Sequence, residues 1–324
     1  MAEHKWIVEL VSSTPLADAA RRALAVRLES VRQFLSAALE PSAQDVENVH
    51  QLRVSTRRAR AAFDIFSDCC PDKILRAARH HLRSIRRSAG AARDWDVFFD
   101  HVQEESSGKP GRRGPGLTFV SGYALSQRMV TLDRLRKLGH DHPAAIDRLI
   151  FEAVAAVHRP QGRQSPKTLG DLATPLFLDL VSNLEESAAA DLADYRNLHQ
   201  LRIAGKRLRY GIEIIAGCFA PALRDRIYPA VEEMQDILGL ANDSQVARER
   251  LKELSQYVQS RAPLDWKRLG PGIDGLMRLH EQRITRERKS FQNRWRRWKK
   301  VIAETSKAIC GDKNRRVDSA VPIK

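Results

Sequence analysis

Cysteine is scarce in this chain. Four occur in 324 residues: Cys69, Cys70, Cys218 and Cys310, with no Cys-x-x-Cys pair and no regular ligand spacing. That excludes a disulfide framework, argues against a zinc site, and leaves the thiols as small apolar side chains of a reducing compartment. β-branched alternation is also scarce, which removes the signal for strands. No uninterrupted apolar run approaches the roughly 20 residues of a membrane span. The N-terminus lacks the charged-then-apolar pattern of a leader, so a soluble, cytoplasmic chain is expected. Catalytic signatures are missing too: there is no Gly-rich phosphate loop joining a strand to a helix, no G-x-S-x-G, no H-E-x-x-H and no paired carboxylates placed for a cleft. No metal, cofactor or catalytic residue is therefore expected, and the chain reads as a binding protein.

Acidic residues are in deficit as well. Against 40 Asp and Glu stand 55 Lys and Arg, a formal net charge of +15. Such an excess points to a polyanionic partner: nucleic acid, an anionic membrane surface or another phosphate polymer. Charge alone does not choose among them.

Apolar residues recur at three and four along nearly the whole chain, the pattern of an all-α fold. Helices are expected over 15–40, 44–67, 72–88, 93–105, 118–138, 143–157, 172–189, 194–216, 222–238, 243–259 and 272–304. Pro41, Pro71, Pro143, Pro175 and Pro221 are placed at breaks between them, and Ser42 with Asp45 resembles a capping box. Two stretches lack periodicity. Ser106 to Gly116 is a basic Gly/Pro loop, and Arg159 to Gly170 is the better junction between halves. The expected organisation is a first half over 1–160, a second over 161–308, and a disordered tail over 309–324.

An eleven-residue phrase occurs twice, from His50 to Arg60 and from His199 to Arg209, 149 positions apart. At the same offset Cys69 falls on Cys218, Gly90 on Gly239, Ala92 on Ala241, Asp94 on Asp243 and Val97 on Val246. The period is too long for a solenoid repeat and suits a duplicated, bundle-sized unit. On a helix, His50, Arg53, Arg57 and Arg60 share a stripe roughly 80° wide, opposite Leu52, Ala59, Ala62 and Phe63. His199, Arg202, Lys206 and Arg209 repeat it, and Arg58 and Arg207 flank the stripes. A solvated face normally mixes signs, because like charges at helical spacing repel; no acid interrupts either stripe. Guanidinium forks suit phosphate oxygens, and about 15 Å of stripe suits a chain of phosphates better than one. Histidine adds a charge that is negotiable near neutrality.

The phrases HQLRVSTRRARAAF and HQLRIAGKRLRYGIEI, followed by GAARDWDVFFD and LGLANDSQVARERL, resemble the two halves of the CHAD family, the conserved-histidine α-helical domain, over roughly residues 16–303. The resemblance implies two four-helix-type bundles related by pseudo-twofold symmetry. It further implies a basic groove or pore that binds inorganic polyphosphate, and association with polyphosphate granules. The binding role falls on His50, Arg53, Arg57, Arg58, Arg60, His199, Arg202, Lys206, Arg207 and Arg209. Two departures from the pattern suggest a looser second half: Asn242 where the first copy has Arg93, and Gly205 inside the second signature helix. The Glu-x-Glu-x-Lys strand of the triphosphatase domains fused to many members is absent, so no hydrolase activity carries over.

Other features have readings of their own. Asp94 and Asp243 are expected to cap the helices after the glycine turns, in preference to a reading of Asp94, Asp96 and Asp243 as metal ligands or general bases. A third stripe, Arg76, Arg79, Arg83 and Arg86 or Arg87, was not duplicated and could extend the groove. The last helix carries Arg294, Arg296, Arg297 and Lys300 beside Trp295 and Trp298; packing is preferred there over nucleic-acid stacking. Tyr210 is expected to pack and Glu213 to pair with an arginine. The rival functions are a polyphosphate- or triphosphate-processing enzyme using the histidines, and a nucleic-acid-binding protein.

Overall fold

A computed structural model describes residues 5–40, 46–108, 111–139, 142–162, 165–219, 221 and 223–318. Among them there is no β-strand beyond a single bridge between Pro15 and Thr168. The helices are α1 (Leu16–Leu39), α2 (Val46–Ile65), α3 (Asp72–Ser106), α4 (Gly114–Gly139), α5 (His142–Ala155), α6 (Leu169–Ala189), α7 (Tyr195–Ile215), α8 (Tyr228–Arg261) and α9 (Pro263–Asp318). Short 3₁₀ turns follow α2 and α7, and a π turn, Leu223–Ile227, leads into α8.

Several expected boundaries are corrected. The pairs 72–88 with 93–105 and 222–238 with 243–259 are each one long helix, α3 and α8, passing through Gly90 and Gly239. A mid-helix glycine costs about 1 kcal/mol, too little to break a helix that buries Leu82, Ile85, Ala89 and Ala92 along one side. No helix begins near Asp94 or Asp243, so neither is a cap. Pro175 lies inside α6 rather than at a break. That helix starts earlier than expected because Thr168 and Asp171 close a reciprocal capping box, and Pro175 then removes one internal backbone hydrogen bond. α9 likewise begins before residue 272, with Pro271 inside it, and runs on to Asp318 through most of the expected tail. Ser42, Asp45 and residues 319–324 lie outside the described residues.

The repeat is visible in the packing. Shifted by 149, α2 covers 195–214, against Tyr195–Ile215 for α7, and the turn Ser67–Cys69 falls on Ala216–Cys218. α1 packs on α2 and α2 on α3, as α6 packs on α7 and α7 on α8; α9 takes the places of both α4 and α5. Across the molecule four pairs of counterparts meet, α1 on α6, α2 on α7, α3 on α8 and α4 on α9, the contact pattern of a twofold arrangement.

One core runs through both halves, with Leu24, Leu28 and Phe63 in the same cluster as Phe177, Leu208 and Val231. A second cluster joins the far ends of α3, α4, α8 and α9 through Phe98, Val120, Leu251 and Ile273. There α4 crosses α9 at bare backbone. A Cβ on Gly116 would strike the Leu269 carbonyl and stand 2.8 Å from the Gly272 Cα. Gly205 has a related purpose. A Cβ there would meet the Gln235 amide and stand 3.0 Å from Met234 Cε, so the glycine brings α8 close to α7 instead of loosening it.

Candidate functional site

Leu52, Ala59, Ala62 and Phe63 bury one side of α2, and Leu198, Leu201 and Leu208 one side of α7. His50, Arg53 and Arg57, with His199, Arg202 and Lys206, are therefore turned off the core, half-buried. Because α2 and α7 touch, the stripes converge. Lys206 feels Arg57, Arg202 and Arg53; Arg57 feels Arg53 and Arg202.

Enclosure and mutual repulsion set the protonation of this cluster. Burial, then Arg57, Arg202 and Arg53, pushes the Lys206 amine down to about 5. Burial and Arg53 lower Arg57 to about 10, against the pull of Tyr210. Burial also lowers Arg202, with Asp243 opposing. Local counter-charge comes from one acid per half: Asp94 Oδ1 lies 2.7 Å from Arg53 Nη1, and its counterpart Asp243 acts on Arg202 and Lys206. These carboxylates, expected to cap helices, are instead the partial neutralisers of the stripes. Their signal was in the sequence, since both keep register with the repeated phrase. Among the described residues the buried Nε atoms of Arg202 and Arg209 have no hydrogen-bond acceptor.

The two histidines, equivalent in sequence, have different settings. His50 is lowered by burial and then by Arg93, with Glu47 opposing. His199 Nδ1 lies 3.2 Å from Asn242 Oδ1, which also accepts from the Tyr195 hydroxyl at 3.2 Å. That bond places the proton on Nδ1 and leaves Nε2 for a ligand. Arg93 and Asn242 are counterparts, so the substitution that marked the second copy as atypical changes what supports its histidine. Sequence reasoning did not foresee the Tyr195–Asn242–His199 chain.

Arg58 is turned inward. Its guanidinium clamps buried Glu213 through Nε at 2.7 Å and Nη2 at 2.9 Å. Glu213 also accepts from Tyr228 at 2.8 Å and lies 3.4 Å from Arg27 Nη2. Arg58 thus ties α2 to α7 inside the protein, whereas its counterpart Arg207 is exposed. Glu213 is the arginine partner the sequence suggested, but for three groups at once. At the rim, Arg60 lies 3.5 Å from Asp64. Arg209 lies 4.0 Å from Glu232 and over the Tyr210 ring.

The third stripe joins the first. Burial lowers Arg86, followed by Arg60, Arg53, Arg83 and Arg87, and Arg79 reaches Asp64 at 3.3 Å. Arg76 and Arg83 are exposed farther along α3. The α9 cations have local partners: Arg294 and Arg297 bind Glu233 at 2.6 and 2.5 Å, and buried Trp298 donates to the same carboxylate at 2.9 Å. Asp96 is buried against Arg128 at 2.5 Å. Among the described residues no group of three or more His, Cys, Asp or Glu side chains could hold a metal.

Residues 14–252, most of the chain, match the CHAD domain. The chain belongs to the CHAD family. The matched span ends within α8, short of the residue 303 expected from the motifs. The crystal structure of the CHAD domain from the plant Ricinus communis resembles this chain with a TM-score of 0.64 at 21% identity, covering 89% of this chain and 95% of that one. PptA from Streptomyces chartreusis resembles it with a TM-score of 0.60 at 17% identity, covering 87% and 100%. At those identities both likenesses establish the CHAD fold alone. Uncharacterized protein MT2285 of Mycobacterium tuberculosis (strain CDC 1551 / Oshkosh) is 26% identical over an alignment of 250 residues that covers 73% of this chain and 45% of that protein. The chain thus spans less than half the length of that curated relative.

Proposed function

We propose that this CHAD protein binds inorganic polyphosphate in the cleft between α2 and α7. The observation that carries the reading is the convergence of Arg53, Arg57, Arg202 and Lys206 from two helices on one half-buried face. Asp94 and Asp243 compensate them only in part, and burial together with this crowding pushes the Lys206 amine down to about 5. A fold accepts such repulsion where a ligand relieves it. Arg53, Arg57 and Arg202 supply planar forks for phosphate oxygens, and stripes about 15 Å long follow a chain of phosphates.

The same features favour polyphosphate over nucleic acid. Single strands need exposed aromatic faces on which bases stack. Tyr210 beside the cleft is buried, and the Tyr195 hydroxyl is held by Asn242. The α9 tryptophans pack inward on Phe291. The reading assigns no turnover: His199 is held by an amide, and among the described residues neither histidine has a carboxylate hydrogen-bonded to it to make it a strong base. No described helix is long and apolar enough to cross a membrane; residence on polyphosphate granules in the cytoplasm is part of the proposal. Competition among long-chain polyphosphate, tRNA and duplex DNA at one salt concentration tests it. Polyphosphate should displace both nucleic acids, and displacement of polyphosphate by tRNA would overturn the reading.

A further inference from the structure

The cleft is close to twofold in its basic stripes, but its surroundings are not. On the α2 side the surface continues onto α3, where Arg76, Arg83 and Arg87 stand exposed on one face over about 16 Å of helix. Arg86, whose charged neighbours include both Arg53 and Arg87, connects that face to the cleft. On the α7 side the counterparts of Arg76, Arg83, Arg86 and Arg87 are Asp225, Glu232, Gln235 and Asp236. Two of these acids crowd each other: burial and then Glu232 raise the Asp236 carboxyl, with Arg209 opposing and Glu233 adding to it. Glu232 also holds Lys5 at 3.3 Å. A polyanion leaving the cleft meets a row of arginines in one direction; in the other the same positions hold acids, with Arg224 and Arg226 beside Asp225.

We infer that the cleft is open to a phosphate chain on one side only, and that Arg76, Arg83 and Arg87 on α3 bind the part of a long chain that leaves it. The protein thereby selects long polyphosphate over short. This rests on the cleft being the polyphosphate site. A short oligophosphate is satisfied by Arg53, Arg57, Arg202 and Lys206 and never reaches the outer arginines. A long chain gains their contacts in addition, and the α8 acids keep its other end from spreading over the second half.

The test compares tripolyphosphate with long-chain polyphosphate on three proteins: the parent, a variant with Arg76→Ser, Arg83→Ser and Arg87→Ser, and a control with Lys252→Ser, Lys267→Ser and Arg296→Ser. The control removes the same formal charge from exposed positions away from the stripe. All six side chains lie outside the core, and circular dichroism verifies the fold of each variant. The α3 variant should bind tripolyphosphate like the parent and long chains about tenfold more weakly, while the control keeps the parent's preference. A second variant, Asp225→Asn with Asp236→Asn, should bind long chains more tightly than the parent. Equal loss for both chain lengths, equal loss in the control, or no loss at all would overturn the inference. Loss of tRNA binding with long-chain binding intact would assign the stripe to nucleic acid and overturn it too. If the parent binds neither phosphate, the cleft reading itself fails.

Discussion

Lys206 should report ligand binding more directly than any other group. In the empty cleft its amine is held down to about 5 by burial, Arg57, Arg202 and Arg53, so near neutrality it is uncharged. A polyphosphate in the cleft reverses the field, raises the lysine toward its ordinary 10.5, and brings about one proton with it. Proton uptake on binding makes affinity fall as pH rises: between the two values the dissociation constant should rise up to about tenfold per pH unit. From pH 6 to pH 8 that amounts to about a hundredfold. His50, lowered by burial and Arg93, adds to the same trend at the acid end. Because free phosphate ends also titrate, the diagnostic quantity is the difference from a Lys206→Met variant. Calorimetric titration at pH 7.5 in buffers of differing ionisation enthalpy measures it. The parent should take up about one proton more than Lys206→Met. Identical uptake would mean that the amine is already charged in the empty cleft and that the repulsion argument is wrong. The sign for stability follows from the same shift. The unfolded chain binds the proton that folded Lys206 lacks, so the ligand-free protein should gain stability as pH rises from about 5 toward the ordinary lysine value, and Lys206→Met should flatten that slope.

Further expectations concern the scaffold and the chemistry. Glu213→Gln leaves Arg58 and Arg27 without their carboxylate and should destabilise the fold by about 3–5 kcal/mol, seen as a lower melting temperature; an unchanged one would remove the buried cluster as the tie between the halves. Gly116→Ala forces α4 away from α9 against backbone that cannot yield and should cost about 1–3 kcal/mol, measured by urea unfolding. Asn242→Leu should release the proton from His199 Nδ1, which ¹⁵N spectra of the imidazole would show as a change of tautomer. Incubation with long-chain polyphosphate and divalent metals should leave its chain-length distribution unchanged. Shortening that disappears in His50→Ala or His199→Ala would put an enzyme in place of a binder.

Helix type and the stripes were legible in the sequence because both depend on local period: an apolar face at three and four opposite an uninterrupted cationic one. The convergence of the stripes followed from the 149-residue offset, since a duplicated unit that pairs with itself brings its copies together. Continuous passage of α3 and α8 through Gly90 and Gly239 was not legible. A glycine reads as a break when judged by propensity, and only tertiary packing along the whole helix outweighs it. The fate of Arg58 was hidden for a similar reason. Its captor Glu213 is 155 positions away, and the counterpart of Glu213 is Asp64, a shorter acid that serves Arg60 and Arg79 at the surface instead. Duplicate copies have diverged where they face different neighbours, and one sequence does not record which copy faces the core. The Tyr195–Asn242–His199 chain escaped notice because its middle residue stood out only as a departure from the first copy.

The central claim is that the paired stripes, and not the general positive charge, bind the phosphate chain. The most direct test measures log K for long-chain polyphosphate against log[salt] for the parent, for Arg57→Gln with Arg202→Gln and Lys206→Met, and for Lys252→Gln with Lys267→Gln and Arg296→Gln. Each phosphate neutralised contributes about 0.9 to the slope for duplex DNA and about 0.7 for single strands; by analogy the cleft variant should lose about two units of slope together with most of its affinity. The surface variant should keep the parent's slope, losing only the long-range attraction that salt screens within about 10 Å at 0.1 M. Equal losses in the two variants, or a cleft variant that binds like the parent, would contradict the account.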